Sequence, residues 1–376
     1  MPRKLFNSRL IFIAIVITAL FAREIALEHG PSYLRPGMKL SAFVTNAGDG
    51  TVSIVDLVGL NVRAAVPVGP APSGARAHPT RKEIWGVSTD GGFVWVLDAA
   101  SASVATKIPV GAAPYALDFS PDGSRAYVAA SGANSLVAID CATRQIVAHA
   151  RTGKRPWLAR MTPDGKSVVV ANHDDSTLQV FDAGSLALRA TIPTAPGPAQ
   201  ILIMPDSGTA YAAATGTNQI SVVDLVAGTL LTNLPLPGKA GAMFLKPDGG
   251  ELYVTVPEAH ALVIINAATH DLADSILLGS TPALGAMDEN TATLYVSDSG
   301  ANRVVPVDVT YRTTGSPIPA GENPGACALD GASPHDLLLV VDQSSNDLAV
   351  IRVRTQSLIT MVPVGNSPKD VAVLLY

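Results

Sequence analysis

The chain has 376 residues, 48% of them apolar and only 15% charged, with a formal net charge of −5. So low a charge density suits sheets buried on both faces within one large domain, and the acidic balance excludes a general nucleic-acid surface. The two cysteines, Cys141 and Cys327, stand more than four repeat units apart, which excludes a disulfide between them and any CxxC metal or redox motif.

Residues 1–40 read as a leader and linker. Arg3, Lys4 and Arg9 precede an uncharged run from Leu10 to Ala22, closed by Arg23 and Glu24. At about 1.5 Å per residue that run reaches roughly 20 Å, short of the roughly 30 Å hydrocarbon core, so an export signal is expected rather than a full membrane span. Positive charge ahead of the run keeps the N-terminus inside and sends the rest out. A cut after Ala22 leaves bulky Leu20 at the third position back, so an uncleaved N-terminal anchor is the alternative. The expected location is the periplasm or the cell surface.

From residue 41 to 376 the chain is one unit written many times. Asp56, Asp98, Asp140, Asp182, Asp224, Asn266 and Asp308 follow one another at 42-residue intervals. Each closes a short β-branched run, such as Thr51 to Asp56 or Gln219 to Asp224, bounded by turn residues, which is a strand signature. Gly–Pro punctuation recurs at Gly69 and Pro72, Gly111 and Pro114, Gly153 and Pro156, Gly279 and Pro282, Gly321 and Pro324, and Gly365 and Pro368. Ser120 to Gly123, Thr162 to Gly165 and Lys246 to Gly249 carry Pro-Asp-Gly, a hairpin turn. Four strands per unit predict an all-β fold, a β-propeller of four-stranded blades.

An eighth unit, two residues longer, begins at Leu337 and carries Leu348 to Arg352 in place of the Asp-terminated strand. Eight blades are therefore expected, with seven as the alternative. The first unit opens at its second strand, near Ala42, and Asp370 to Tyr376 reads as a lone first strand. The C-terminal strand should complete the first blade and close the ring. Pro306 falls in a third strand with partners on both sides, so a bulge or a missing ladder bond is expected there.

Phe43-Val44-Thr45-Asn46, Tyr127-Val128-Ala129-Ala130, Tyr253-Val254-Thr255-Val256 and Tyr295-Val296-Ser297-Asp298 resemble the motif that names the YVTN family of β-propeller repeats. The resemblance covers roughly residues 41 to 376. It implies the fold, and roles ranging from surface-layer components to partners of quinone-dependent alcohol oxidation. Eight units also resemble the eight-bladed tetrapyrrole-binding domain of cytochrome-type nitrite reductases and their maturation factors, without a matching ligand motif.

Functional candidates are the places where the repeat breaks. Directly after each linker Pro stand Ser73, Tyr115, Trp157, Ala199, Gly241, Ala283, Gly325 and Lys369, so Tyr115 and Trp157 offer an aromatic wall on adjacent blades; rim packing is the alternative. Beside Trp157 lie Arg151, Lys154 and Arg155, and the next loop on that face supplies Asn172, His173, Asp174 and Asp175. A cationic loop beside aromatics suits a carboxylate or phosphate, and ion pairing of the bases with Asp174 and Asp175 is the competing account. Four positions after the linker Pro, three successive units carry Arg76, Asp118 and Arg160, read as an Arg–Asp–Arg bridge or as a ligand clamp.

Strand ends at Asn46, Asp298 and Asp342, with Asp370 nearby, offer oxygen ligands that suit Ca²⁺ and resemble the metal mouth of propeller lactonases; turn capping is the alternative. His78, His149, His173, His260, His270 and His335 are scattered over unrelated loops, so no nucleophile–base pair and no catalytic residue emerges. The cofactor is unknown. The expected function is that of an exported, monomeric, non-enzymatic propeller. It presents the Tyr115 face, rather than the Pro-Asp-Gly face, to a protein, glycan or small anionic ligand. The alternative is a channel-mouth enzyme or cofactor carrier: a metal-assisted lactonase-like hydrolase, or a tetrapyrrole- or quinone-handling protein.

Overall fold

A computed structural model describes residues 38–331 and 334–376. The expected leader lies outside the described residues except for its last three. Eight antiparallel sheets form the ring, each of four strands except one. In the third blade the strands run from the inside outward as Pro114–Phe119, Arg125–Ala130, Ser135–Asp140 and Gln145–Arg151. The first blade is closed from the far end of the chain, where Pro368–Leu375 pairs antiparallel with Leu40–Asn46 from Leu40↔Leu375 to Thr45↔Asp370. Lys39 and Tyr376 exchange both backbone hydrogen bonds, at 2.7 and 2.9 Å. The eight-bladed ring and its closure are as the repeat count requires.

The 42-residue marker has a physical cause. Each Asp closes the third strand and caps the hairpin that follows. Asp140 Oδ1 accepts from the Ala142 and Thr143 amides at 3.0 and 2.7 Å, and Asp224 Oδ1 accepts from Val226 and Ala227, both at 2.8 Å. Asn266 does the same for Ala268 and Thr269. These are Asx turns, which a carboxylate or amide oxygen at that position alone supplies. In the eighth blade Arg352 holds the position, and that turn is closed by backbone instead, Gln356 to Val353 at 3.3 Å.

Two bulges recur in the blades. One separates the third and outer strands, at Ile54/Val55, Val96/Leu97, Ala138/Ile139, Val180/Phe181, Val222/Val223, Ile264/Ile265 and Val350/Ile351. Pro306 occupies the matching place in the seventh blade. Its ladder toward Thr293–Asp298 runs without a shift, so the interruption expected there lies on one side only. The outer edge is split into Thr313–Thr314 and Ile318–Pro319, which pair with Val307–Asp308 and Arg303–Val304. Gly315 donates to the Pro306 carbonyl at 2.8 Å. The missing N–H therefore faces the split edge, where a bulge already spared the donor.

The second bulge follows the linker Pro on the inner strand, at Ser73/Arg76, Pro114/Leu117, Pro156/Leu158, Pro198/Gln200, Pro282/Gly285 and Pro324/Cys327. The sixth unit has Ala240 where the others have this Pro, and its inner strand shrinks to Met243–Leu245. Neighbouring blades share their cores: Tyr127 and Ala129 of the third pack with Val168, Val170 and Phe181 of the fourth. Polar ties repeat across blades as well. Tyr127 Oη donates to Ala183 O and Tyr253 Oη to Val309 O, both at 2.8 Å, and Glu83 holds Trp85 Nε1 and Arg144 Nη2, both at 2.9 Å.

Candidate functional site

Tyr115 and Trp157 both sit in the inner-strand bulge, where neither has a partner in the ladder. A bulge of this kind turns a side chain away from the sheet. Their ring centroids lie 5.0 Å apart at 38°, and Trp157 continues to the imidazole of His173 at 5.6 Å and 35°. His173 is held at both nitrogens, Nδ1 to Asp174 Oδ1 at 2.7 Å and Nε2 to Thr215 Oγ1 at 3.0 Å. The row thus spans the third and fourth blades and is braced by the fifth. Tyr115 remains 42% exposed.

The basic loop closes over this row. The Arg155 guanidinium carbon stands 5.3 Å from the Trp157 ring centroid, and its Nη1 is 3.3 Å from Asp174 Oδ1. Arg155 adopts φ 51°, with its amide donating to Asn134 Oδ1 at 2.8 Å. Asp174 is held below the usual carboxylate range, chiefly by the His173 hydrogen bond and then by Arg155. The ion pairing expected as the competing account is therefore present for Arg155. Lys154 differs: its amide donates to Asp175 Oδ2 at 2.7 Å, while its ammonium has no partner among the described residues.

The Arg76–Asp118–Arg160 row forms only in half. Arg76 Nη1 is 3.7 Å from Asp118 Oδ1. Asp118 Oδ2 instead accepts the Met161 amide at 3.0 Å, so the fourth blade reaches this carboxylate with its backbone. The Arg160 guanidinium has no hydrogen bond or ion pair among the described residues. Burial, and then Arg76, pull its pKa down to about 10. The charge facing it that counting did not find is Asp370, raised by burial against the opposing pull of Arg76 and Arg160. Asp370 in turn helps burial raise the Tyr115 hydroxyl. Groups from the first, second and fourth blades act on one another here across the central channel.

The strand-end oxygens do not assemble a metal site. Of the three, Asp298 holds the linker turn of its own blade. Asn46 Nδ2 donates to Thr51 Oγ1 and Ser53 Oγ at 3.0 and 2.9 Å. Asp298 accepts from the Ser280 and Thr281 amides at 3.2 and 2.6 Å and from Arg303 Nε at 3.0 Å. Asp342 is buried with neither oxygen bonded, and burial pushes it up to about 7. Among the described residues no three His, Cys, Asp or Glu side chains converge as metal ligands. Turn capping, the alternative to Ca²⁺ at these strand ends, accounts for Asp298, whereas the buried Asn46 Oδ1 has no partner. Cys327 and Cys141 are unpaired thiols, both pushed up to about 12 by burial.

Two cavities, of 580 and 410 Å³, open at the Pro-Asp-Gly end of the channel. One is lined by Phe244, Met287, Cys327 and Leu329, the other by Arg76, Asp118, Phe119 and Pro121. No helix among the described residues is long and apolar enough to cross a membrane.

No protein-family model matches the chain, and no curated protein matches it. Solved structures do. A hydrazine synthase of Kuenenia stuttgartiensis superimposes with a TM-score of 0.62 at 22% identity, covering 75% of this chain and 95% of its own. The dihydro-heme d1 dehydrogenase NirN, in complex with DHE, gives 0.73 at 17% identity, covering 88% and 74%. Apo AztD from Citrobacter koseri gives 0.70 at 12% identity, covering 90% and 98%. Identities this low show the fold alone. Fold and topology together define the chain as an eight-bladed β-propeller.

Proposed function

We propose that this chain is an exported binding propeller that takes a small anionic ligand on the face bearing Tyr115, Lys154, Arg155, Trp157 and His173. The carrying observation is the ring row across adjacent blades, 5.0 and 5.6 Å between centroids, with a guanidinium over its centre. Aromatic faces there can stack on a ring or sugar, and Arg155 can exchange its exposed partner Asp174 for a ligand anion, since exposed ion pairs contribute only about 0–1 kcal/mol. Lys154 adds charge with no partner to give up. The export part of the reading is supported by the basic, then apolar, leader. Isothermal titration against carboxylated and phosphorylated metabolites and cell-wall glycans supplies the ligand. Arg155→Ala and Trp157→Ala should each weaken it by about 1–3 kcal/mol without loss of folding. Unchanged affinity in both variants places the site elsewhere.

A second reading, a channel-mouth cofactor carrier, is favoured by one observation: a structural neighbour, NirN, is in complex with DHE. Absorbance and metal content of the purified protein test it, and a colourless, metal-free, fully folded protein that binds no tetrapyrrole or quinone excludes it.

A further inference from the structure

We propose that the 580 Å³ cavity at the Pro-Asp-Gly end of the channel binds a neutral aromatic molecule whose hydroxyl group donates a hydrogen bond to His335 Nε2. The starting point is a break in the repeat. Between the inner and second strands the second to sixth blades use five turn residues, as in 120–124 between Phe119 and Arg125. The eighth blade uses seven, residues 330–336, between Leu329 and Leu337. That is where its unit gains two residues, and the longer turn brings His335 to the cavity wall.

The turn is built around a buried acid. In the third and fourth blades a hydroxyl spans the shorter turn: Ser120 Oγ accepts from the Arg125 amide at 2.9 Å and Thr162 Oγ1 from the Ser167 amide at 3.0 Å. Asp330 opens the eighth turn with a carboxylate instead, and its oxygens accept the Asp336 and Leu337 amides at 3.2–3.3 Å. Its backbone carbonyl and Oδ1 also face His335 Nδ1, at 2.6 and 3.3 Å. A carbonyl oxygen only accepts, so Nδ1 carries the hydrogen and, in the neutral ring, Nε2 keeps the lone pair. Nε2 has no partner among the described residues. The buried acid thus fixes the tautomer of a ring that lines the cavity.

The rest of the wall decides what can reach that nitrogen. Phe244, Met287 and Leu329 are apolar, and the Cys327 thiol is turned to Gly325 O of its own strand at 3.5 Å. Sites for small organic molecules occupy about 300–1,000 Å³ and combine such a lining with a few placed polar groups. An anion finds no counter-charge, because no Lys or Arg lines the cavity and the exposed Glu289 does. A metal ion finds too few ligands, since no three His, Cys, Asp or Glu side chains converge among the described residues. What fits is a neutral ring against Phe244 and the Met287 thioether, with one hydroxyl for Nε2. This ligand differs in charge from the one proposed for the loop face and enters at the opposite end of the channel.

β-Naphthol and naphthalene are the probes, measured by equilibrium dialysis against the full chain. β-Naphthol should bind, and His335→Ala should weaken it about three- to tenfold, the worth of one hydrogen bond, while naphthalene binding stays within about twofold. His335→Gln, whose amide oxygen accepts, should recover part of the loss. Trp157→Ala should leave β-naphthol binding unchanged. Since His335→Ala could disturb the turn, the wild-type chain with ¹⁵N-labelled histidine is followed by NMR as well. His335 should show the Nδ1–H tautomer without ligand, and its Nε2 resonance should shift on adding β-naphthol. No binding of β-naphthol, an Nε2–H tautomer, an unmoved Nε2 resonance, or undiminished binding by a folded His335→Ala protein overturns the site. An equal loss of both probes overturns it too, by making His335 a wall of the cavity and not an acceptor. So does a loss confined to Trp157→Ala, which would place the naphthol on the loop-face rings.

Discussion

Replacing Asp342 with Asn should stabilise the protein at alkaline pH and leave it unchanged in acid. Asp342 ends the second strand of the eighth blade and is fully buried, with neither oxygen in a hydrogen bond; the Gly321 and Ala349 amides only partly oppose the effect of that burial on its pKa. Its cross-strand partner is another acid, Asp347. The same position in other blades makes a cross-strand bond: Asn46 donates to Thr51, Asn172 donates to Thr177, and Asp298 accepts from Arg303, each at 3.0–3.1 Å, with only the amide oxygens of Asn46 and Asn172 left unbonded. Burial first, and Asp347 in addition, raise Asp342 from 3.8 to about 7.

At about 1.4 kcal/mol per pKa unit, ionising it in place costs at most about 4 kcal/mol. The folded state holds this proton where the unfolded chain has lost it, so wild-type stability falls as pH rises from about 4 to about 7 and stays low above. Asparagine has no proton to lose, and its amide can donate to Asp347 as Asn46 donates to Thr51. Urea melts at pH 4.5, 6 and 8 should show a gain that grows with pH, approaching that ceiling at pH 8. A gain equal at all three values, or a loss at pH 8, would refute the reasoning.

Deleting residues 370–376 should lower stability by several kcal/mol, because it strips buried Val371 and Ala372 and exposes the edge of Leu40–Asn46; an unchanged melting temperature would contradict closure. Tyr253→Phe should cost about 1 kcal/mol by removing the bond to Val309 O. Tyr127→Phe should cost less, since Arg125 also donates to Ala183 O at 3.0 Å, and the reverse order in thermal melts would deny that compensation.

The fold was legible because each unit repeats a local device that only certain residues can make. The Asp that closes a third strand caps the next hairpin with its own side chain, so its 42-residue spacing reports hydrogen bonds directly. Pro306 was readable for the same reason, except that the sequence does not show which edge its missing donor faces. The ring row was legible as aromatic and basic exceptions on one face. The pairing of Arg160 was not. Counting places it beside Asp118, but whether a carboxylate bonds a guanidinium or the adjacent amide is decided by a few tenths of an ångström. Asp370 was missed as its neighbour because it stands two residues after its linker Pro, not four, and at the opposite end of the chain.

The exceptions are not spread evenly around the ring. Arg76, Asp118, Arg160 and Asp370 come from the first four blades, while the fifth to eighth line the same level with Leu202, Phe244, Ala286 and Ala328. A channel that served only closure could be apolar at this level throughout, as the second half is at these four positions, and would avoid the cost of partly desolvating four charged groups. One salt bridge offsets part of this cost at Arg76, and a backbone amide offsets part at Asp118. At Arg160 the charges of Asp118 and Asp370 oppose it without a direct contact. The aromatic row rises from the third and fourth blades, directly along the chain from Asp118 and Arg160: Tyr115 precedes Asp118 by three residues, and Trp157 precedes Arg160 by three. The two short strands that carry the loop-face rings thus also carry charge into the channel, so a change in the bulge of either strand moves both features together.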